Sequence, residues 1–206
     1  MPKLLLATGN QGKLRELKSL FRGLPYELVT PSEAGISTDV DETGSSLEEN
    51  ATLKATAAAA RSRLLTLADD SGLEVDALSG APGVYSARYA GAGDSRGDRD
   101  QRNNEKLLRV LENVPLEQRT ARFVCAMCLC DPDGSILAES RGEFDGLIAR
   151  DPRGDNGFGY DPLLFLPDRG CTSAELSPEE KNARSHRGQA ARAMGEFLRG
   201  RSPAQP

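Results

Sequence analysis

Ala68-Asp69-Asp70-Ser71-Gly72-Leu73-Glu74-Val75-Asp76 follows directly on an apolar run, Leu64, Leu65, Leu67 and Ala68, that stops at a carboxylate pair. A short apolar run of this kind reads as a buried strand, and acids at its C-terminal end fall where open α/β sheets place their ligands. Successive strand residues face opposite ways, so one of the two carboxylates is expected to enter a given cleft. Asp69 to Gly72 also have turn chemistry, because Asp and Ser side chains bond their own backbone and Gly accepts positive φ. A turn and a metal or general-base site both stay open on these residues alone.

Working towards the N-terminus, the alanine-rich run that leads to this strand reads as a long helix reaching Leu65. It is opened by Ser46-x-x-Glu49, a capping box. Asn50 and Lys54 are four apart and share one face of it. Before it lies a polar, acidic stretch from Pro31 to Gly44 with Asp39, Asp41 and Glu42, and before that a short strand from Tyr26 to Val29. Lys3 to Ala7 is a continuous apolar run, as expected of a strand covered on both faces. It leads through Thr8-Gly9-Asn10-Gln11-Gly12-Lys13 into a helix carrying Leu14, Leu17, Leu20 and Phe21, closed by Gly23 and Pro25. Strand, glycine-containing turn and helix start make an anion site through free backbone N–H groups and the positive end of the helix. A Walker A loop is excluded: its first glycine would fall at Ala7, and Leu14 stands where a hydroxyl should follow the lysine.

Towards the C-terminus, Gly91 to Asp100 is polar and reads as a mobile loop, followed by a helix from about Arg102 to Asn113 with Leu107, Leu108 and Leu111. Residues 120 to 130 read as a strand that turns at Asp131-Pro132-Asp133-Gly134 into a second strand from Ser135. This hairpin is antiparallel and makes the sheet a mixed one. Cys125, Cys128 and Cys130 lie on that strand, where a spacing of three sends Cys125 and Cys128 to opposite faces, so buried reduced thiols are expected rather than a metal or redox motif. Residues 150 to 162 are rich in Gly and Pro yet hold Phe158 and Tyr160, which suggests a stacking surface. Leu163 to Leu166 reads as a strand. Ser177-Pro178-Glu179-Glu180 opens a helix with a cap, an N1 proline and a capping-box glutamate. A restart at Ser185-His186-Arg187 is expected to bury Ala190, Ala191, Met194, Phe197 and Leu198. Residues 200 to 206 read as a disordered tail, leaving 1 to 199 as a single domain.

The chain has 206 residues and a net charge of -5, which argues against non-specific binding to nucleic acid and requires a local basic cluster or a metal for any anionic ligand. No stretch approaches the roughly 18 apolar residues of a membrane span, and the chain reads as soluble and cytoplasmic.

Six blocks in order carry a resemblance: Thr8-Gly9-Asn10-x-Gly12-Lys13, Glu49-Asn50-Ala51-x-x-Lys54-Ala55, Ala68-Asp69-Asp70-Ser71-Gly72-Leu73, Gly80-Ala81-Pro82-Gly83-Val84-Tyr85-Ser86-Ala87-Arg88, Gly157-Phe158-Gly159-Tyr160-Asp161-Pro162 and Ser185-His186-Arg187. Together they resemble the inosine/xanthosine triphosphate pyrophosphatase family over residues 3 to about 198. The resemblance implies an α/β fold with a curved mixed sheet flanked by helices, two lobes and a central nucleotide cleft. It also implies a homodimer and Mg²⁺-dependent conversion of ITP, dITP and XTP to monophosphate and pyrophosphate. By matching position, Thr8, Gly9, Asn10, Gln11, Gly12, Lys13 and Lys54 would bind phosphate, Glu42 and Asp70 would hold the metal, and Asp70 would activate the attacking water. Ser71 would touch substrate, while Phe158, Gly159, Tyr160, Asp161, Lys181, His186 and Arg187 would form the base pocket, with Arg187 aimed at the purine 6-position. Two rival readings are a Maf-type pyrophosphatase acting on pyrimidine or modified nucleotides, and a nucleotide sensor without turnover. The Ser-His-Arg block argues against the first, the intact acids and lysines against the second.

Overall fold

The computed structural model describes residues 1–37, 39–91 and 95–201. Among the described residues, seven strands hydrogen-bond in the order β2-β1-β3-β4-β5-β6-β7. They are β1 (Lys3–Leu6), β2 (Glu27–Val29), β3 (Leu65–Val75), β4 (Thr120–Cys130), β5 (Ile136–Ile148), β6 (Leu164–Leu166) and β7 (Cys171–Thr172). The helices are α1 (Gln11–Leu20), α2 (Leu47–Ser62), α3 (Arg96–Val110), α4 (Pro178–Arg184) and α5 (His186–Gly200). β1 pairs in parallel with β2 and β3, whereas β5–β6 and β6–β7 are antiparallel. β4 and β5 form the expected hairpin, closed by Asp131 N–H to Ser135 O at 2.9 Å and, at its far end, by Ile148 N–H to Arg119 O at 2.9 Å. The sheet is mixed and the class α/β, as read from the sequence.

Two compact units divide the chain: residues 1–70, 125–142 and 187–206 in one, 71–124 and 143–186 in the other. The boundaries between these units fall inside β3, β4, β5 and α5 rather than in linkers. Each unit has its own apolar core. In the first, Leu4 and Leu6 of β1, Leu14 and Leu17 of α1, Cys125 and Met127 of β4 and Ala190, Ala191, Met194 and Leu198 of α5 pack together. In the second, Leu73 and Val75 of β3 meet Leu107 of α3, Phe144 and Ile148 of β5 and Leu163, Leu164 and Leu166 around β6. No helix among the described residues is long and apolar enough to cross a membrane.

Three boundaries differ from the sequence reading. β3 does not end at the acid pair but runs on to Val75, because Asp69 and Asp70 find cationic partners and Leu73 and Val75 supply fresh buried side chains. Turn chemistry at Asp69 to Gly72 is overridden by those contacts. α2 stops at Ser62, where Arg63 takes the left-handed conformation (φ 57°) and frees Leu65 for the strand. The polar stretch before Arg102 is helical from Arg96, capped by the Ser95 hydroxyl on Asp98 N–H. Within the expected loop 91 to 100, residues 92 to 94 lie outside the described residues, as do 202 to 206 of the expected tail. Phe197 is 41% exposed rather than buried, on the outer face of α5.

Candidate active site

The first unit gathers its charged residues on both sides of one strand. Along β3, Asp69 and Asp70 face opposite ways, and each meets a lysine from a different helix. The Asp69 Oδ2 lies 2.9 Å from Lys13 Nζ, one turn into α1. The Asp70 Oδ1 lies 2.7 Å from Lys54 Nζ, and Asn50, one turn earlier on α2, donates to Asp70 Oδ2 at 3.4 Å. The four-residue spacing of Asn50 and Lys54 thus delivers both side chains to one carboxylate. Glu42 Oε1 reaches the same lysine at 2.8 Å, so the Lys54 ammonium joins two acids.

Both sides of the strand are nearly dry, with Asp69 2% and Asp70 6% exposed. Burial alone would raise the Asp69 carboxyl, but Lys13 and Arg187 outweigh it and hold the group down at about 2. Burial likewise disfavours the Lys54 ammonium, and Asp70 with Glu42 reverses this and raises it above the ordinary lysine value. Lys54 is therefore charged throughout the neutral range.

At the start of α1 the Asn10 side chain accepts from Gly12 N–H at 2.9 Å and Lys13 N–H at 3.2 Å, while Asn10 N–H donates to Thr8 Oγ1 at 3.2 Å. Two of the N–H groups expected to be free for an anion are thus capped by the loop itself. What the cap achieves is to fix the start of the helix that carries Lys13.

Arg187 was expected at the purine edge, yet its guanidinium is held on two carboxylates. Nε and Nη2 lie 3.3 Å from Asp69 Oδ2, and Nη1 lies 2.5 Å from Glu16 Oε2. It is 1% exposed, and although burial opposes its charge, Asp69 and Glu16 raise it further above the ordinary range. Glu16, one turn beyond Gly12 on α1, was not singled out in the sequence. Its spacing of three from Lys13 was the available signal. Cys125 sits beside this network with its thiol pushed up to about 12 by burial and by Asp69, an inert core sulfur as expected.

The second unit holds the glycine-rich loop. Asp161, 2% exposed, organises it: its Oδ2 accepts Phe158 N–H at 2.8 Å and lies 2.6 Å from Lys181 Nζ, while its Oδ1 accepts the Ser173 hydroxyl at 2.8 Å. Gly157 has φ +79°, and a Cβ there would fall 2.1 Å from Asp161 Oδ2, so only glycine lets the carboxylate close the loop. Lys181 Nζ stands 5.1 Å from the centre of the Phe158 ring. Tyr160 is buried, and its hydroxyl donates to Ser86 O at 2.9 Å, which makes it a structural member of the loop rather than a stacking face. His186 is also buried, stacked on Phe123 with ring centres 5.0 Å apart.

Ser86 and α3 were missed as supports. Ser86 Oγ accepts Leu73 N–H at 2.8 Å and donates to Gly83 O at 2.6 Å, locking the residues after Gly72 to the Gly80 to Arg88 block. Gly72 itself must lack a side chain, since a Cβ would sit 2.3 Å from Gly83 O. Ser71, expected to touch substrate, is the next residue of β3 after Asp70 and is partly exposed.

The arrangement offers two lysines, each poised on a buried acid, and separately an aromatic ring flanked by a fixed ammonium. The sequence profile of the Ham1 family matches residues 4–197. The dITP/XTP pyrophosphatase of Geobacter sulfurreducens is 50% identical over 198 residues, 96% of this chain and 97% of its own length. That of Thioalkalivibrio sulfidiphilus is 50% identical over 202 residues, 97% of this chain and all of its own (100%). Among solved structures, a HAM1 protein from Coxiella burnetii superposes with a TM-score of 0.85 at 42% identity, covering 96% of this chain and 98% of that one. With half its residues shared across nearly the whole length and the same fold, this chain belongs to the Ham1 family.

Proposed function

We propose that this chain hydrolyses the non-standard purine triphosphates ITP, dITP and XTP to the nucleoside monophosphate and pyrophosphate, and that it does so with Mg²⁺. One observation carries the reading: Asp70, Lys54 and Glu42 converge on a single point, while Lys13 sits on the neighbouring Asp69. Phosphoanhydride hydrolysis asks for neutralised phosphate charge and a positioned water, and little covalent chemistry. The names of the half-identical relatives support the same substrate class.

In this reading Lys13 and Lys54 exchange a carboxylate oxygen for phosphate oxygens when substrate arrives. Their stems are already ordered, so little freedom is lost at that step. Release of Lys54 leaves Asp70 free to accept a proton from the attacking water at a carboxylate oxygen, as water bonds to phosphorus and pyrophosphate departs with the bridging electron pair. Asn50, donating to the other oxygen, keeps the carboxylate oriented. Phe158 supplies a face for the purine, and Lys181 a donor beside it.

The residues fit a divalent ion. Glu42 and Asp70 each direct an oxygen at one cationic centre, the Lys54 ammonium. Two carboxylates suit Mg²⁺, an ion that takes one or two of them and completes its shell with substrate phosphates and water. Glu42 and Asp70 would hold it, and when bound it would neutralise charge on the phosphates. EDTA is expected to abolish pyrophosphate release, and added Mg²⁺ to restore it. Activity that persists in EDTA would remove the ion from the mechanism.

The decisive assay is pyrophosphate release across ITP, dITP, XTP, GTP, ATP and UTP. ITP and XTP are expected to exceed ATP in kcat/KM by at least about a hundredfold, as befits a site whose polar groups match one base edge. Equal rates on ATP or UTP would overturn the reading. Lys13→Ala and Lys54→Ala are each expected to lower kcat/KM by at least about tenfold on ITP and ATP alike, because phosphate contacts are blind to the base. A shifted ITP-to-ATP ratio in either variant would take that lysine out of the phosphate site. A cytoplasmic homodimer is part of the same proposal.

A further inference from the structure

The Phe158 ring is carried between two glycines, Gly157 at φ +79° and Gly159 at φ +63°. Glycine has more backbone freedom to lose than any other residue, so a ring between two of them keeps one position only where the backbone is held. Phe158 is held through its own peptide groups by Asp161, whose Oδ2 accepts Phe158 N–H at 2.8 Å and whose N–H donates to Phe158 O at 3.3 Å. Gly159 is held by α3. Asp100 Oδ2 accepts Gly159 N–H at 2.9 Å, and Asn104 Nδ2 donates to Gly159 O at 3.0 Å. These two side chains are one helical turn apart, and together they take both the donor and the acceptor of a single residue.

The helix that supplies them is itself anchored. Asn103, 2% exposed, accepts Ala90 N–H at 2.7 Å and donates to Ser86 O at 3.2 Å, and Leu107 is fully buried. Asp100, Asn103, Asn104 and Leu107 follow the i, i+3, i+4, i+7 spacing of one helix face, so the face that clamps the loop is also the face fixed to its surroundings. Asn104 Oδ1, by contrast, is buried with no hydrogen-bond partner among the described residues. An unpaired buried acceptor costs stability, so the amide serves the position of Gly159 more than it serves the fold.

We propose that Asp100 and Asn104 are positioning residues for the nucleotide: by clamping Gly159 they fix where the Phe158 ring stands, and so set the affinity for the base stacked on it. This rests on the functional reading above, in which Phe158 supplies a face for the purine, and deepens it. Hydrogen bonding rather than charge does the holding, with Asp100 as acceptor and Asn104 as donor.

The test joins amide hydrogen exchange of the ligand-free protein with calorimetric binding of ITP to Asp70→Asn protein. Asn104→Leu and Asp100→Leu are each expected to speed exchange in peptides covering residues 157 to 161 and to weaken ITP binding about fivefold, part of the roughly tenfold or more that loss of a stacking ring costs. Asp100→Asn keeps an acceptor while losing the charge, and is expected to stay within about twofold of the parent in both measurements. In a Phe158→Ala background, Asn104→Leu is expected to change ITP affinity by less than about twofold, since no ring is left to position. Unchanged exchange or affinity in Asn104→Leu, equal damage from Asp100→Asn and Asp100→Leu, or a loss that persists without the ring would each overturn the proposal. The melting temperature of Asn104→Leu is expected within about 3 °C of the parent, and Asn104→Ala takes its place in the same cycle should leucine unfold the protein. Failure of the functional reading shows separately, as absent pyrophosphate release from ITP by the unmodified enzyme, and the exchange and binding pattern judges the clamp in either case.

Discussion

Asp70→Asn is expected to lower kcat for ITP by about a thousandfold or more while leaving nucleotide affinity within about tenfold. The amide has the shape of the carboxylate but cannot accept the water's proton, and general-base contributions of about 10² to 10⁴ are usual. It also loses the charge that Lys54 and Glu42 are arranged around. Binding is spared because phosphate affinity comes from Lys13 and Lys54, and the base is held by other residues. Rapid-quench measurement of single-turnover pyrophosphate release, set beside calorimetric affinity, separates the two effects. A variant that retains turnover within about tenfold would remove Asp70 from the chemistry.

Asp69→Asn is expected to act first on stability, an effect that strand alternation alone did not suggest. Its carboxylate is 2% exposed and holds both Lys13 and Arg187. Removing one partner from a buried ion pair costs about 3 to 5 kcal/mol, which in a chain of this size corresponds to a fall of roughly 10 °C in Tm. The pH dependence has a definite sign. The folded carboxyl is held at about 2, against an ordinary 3.8, so its contribution is complete above about pH 4 and is lost as pH falls towards 2. That contribution is roughly 2 kcal/mol. Thermal melts between pH 2 and 7 should show a steep acid limb in the unmodified protein and a shallower one in Asp69→Asn. Equal limbs would mean that Asp69 is not held ionised by Lys13 and Arg187. Loss of activity in this variant with Tm unchanged would give Asp69 a direct part in substrate binding instead.

The two acids illustrate how far local sequence reaches. Alternation along β3 dictated that Asp69 and Asp70 point opposite ways, and the α2 spacing dictated that Asn50 and Lys54 share a face. Backbone periodicity fixes both. Neither rule names a partner, since Lys13 precedes Asp69 by 56 residues and Arg187 follows it by 118, and such pairings exist only once the chain has folded.

The same division runs through the elements. Capping and turn signals act within four residues, so Ser177-Pro178, the restart at His186 and the hairpin at Asp131 to Gly134 were legible in full. Asp69 to Gly72 carried an equally local turn signal, yet remote lysines made that stretch a strand. Glycine and charge made Arg96 to Asp100 read as loop, and its helix is supported by a Ser95 cap and by contacts to Gly159, 59 residues from Asp100. Residue types, motif order and faces were thus determined by the sequence alone. Tertiary structure decided which buried charge meets which: it tied Arg187 to Asp69 and Glu16, because a charge removed from water accepts whichever counter-charge the fold brings within reach.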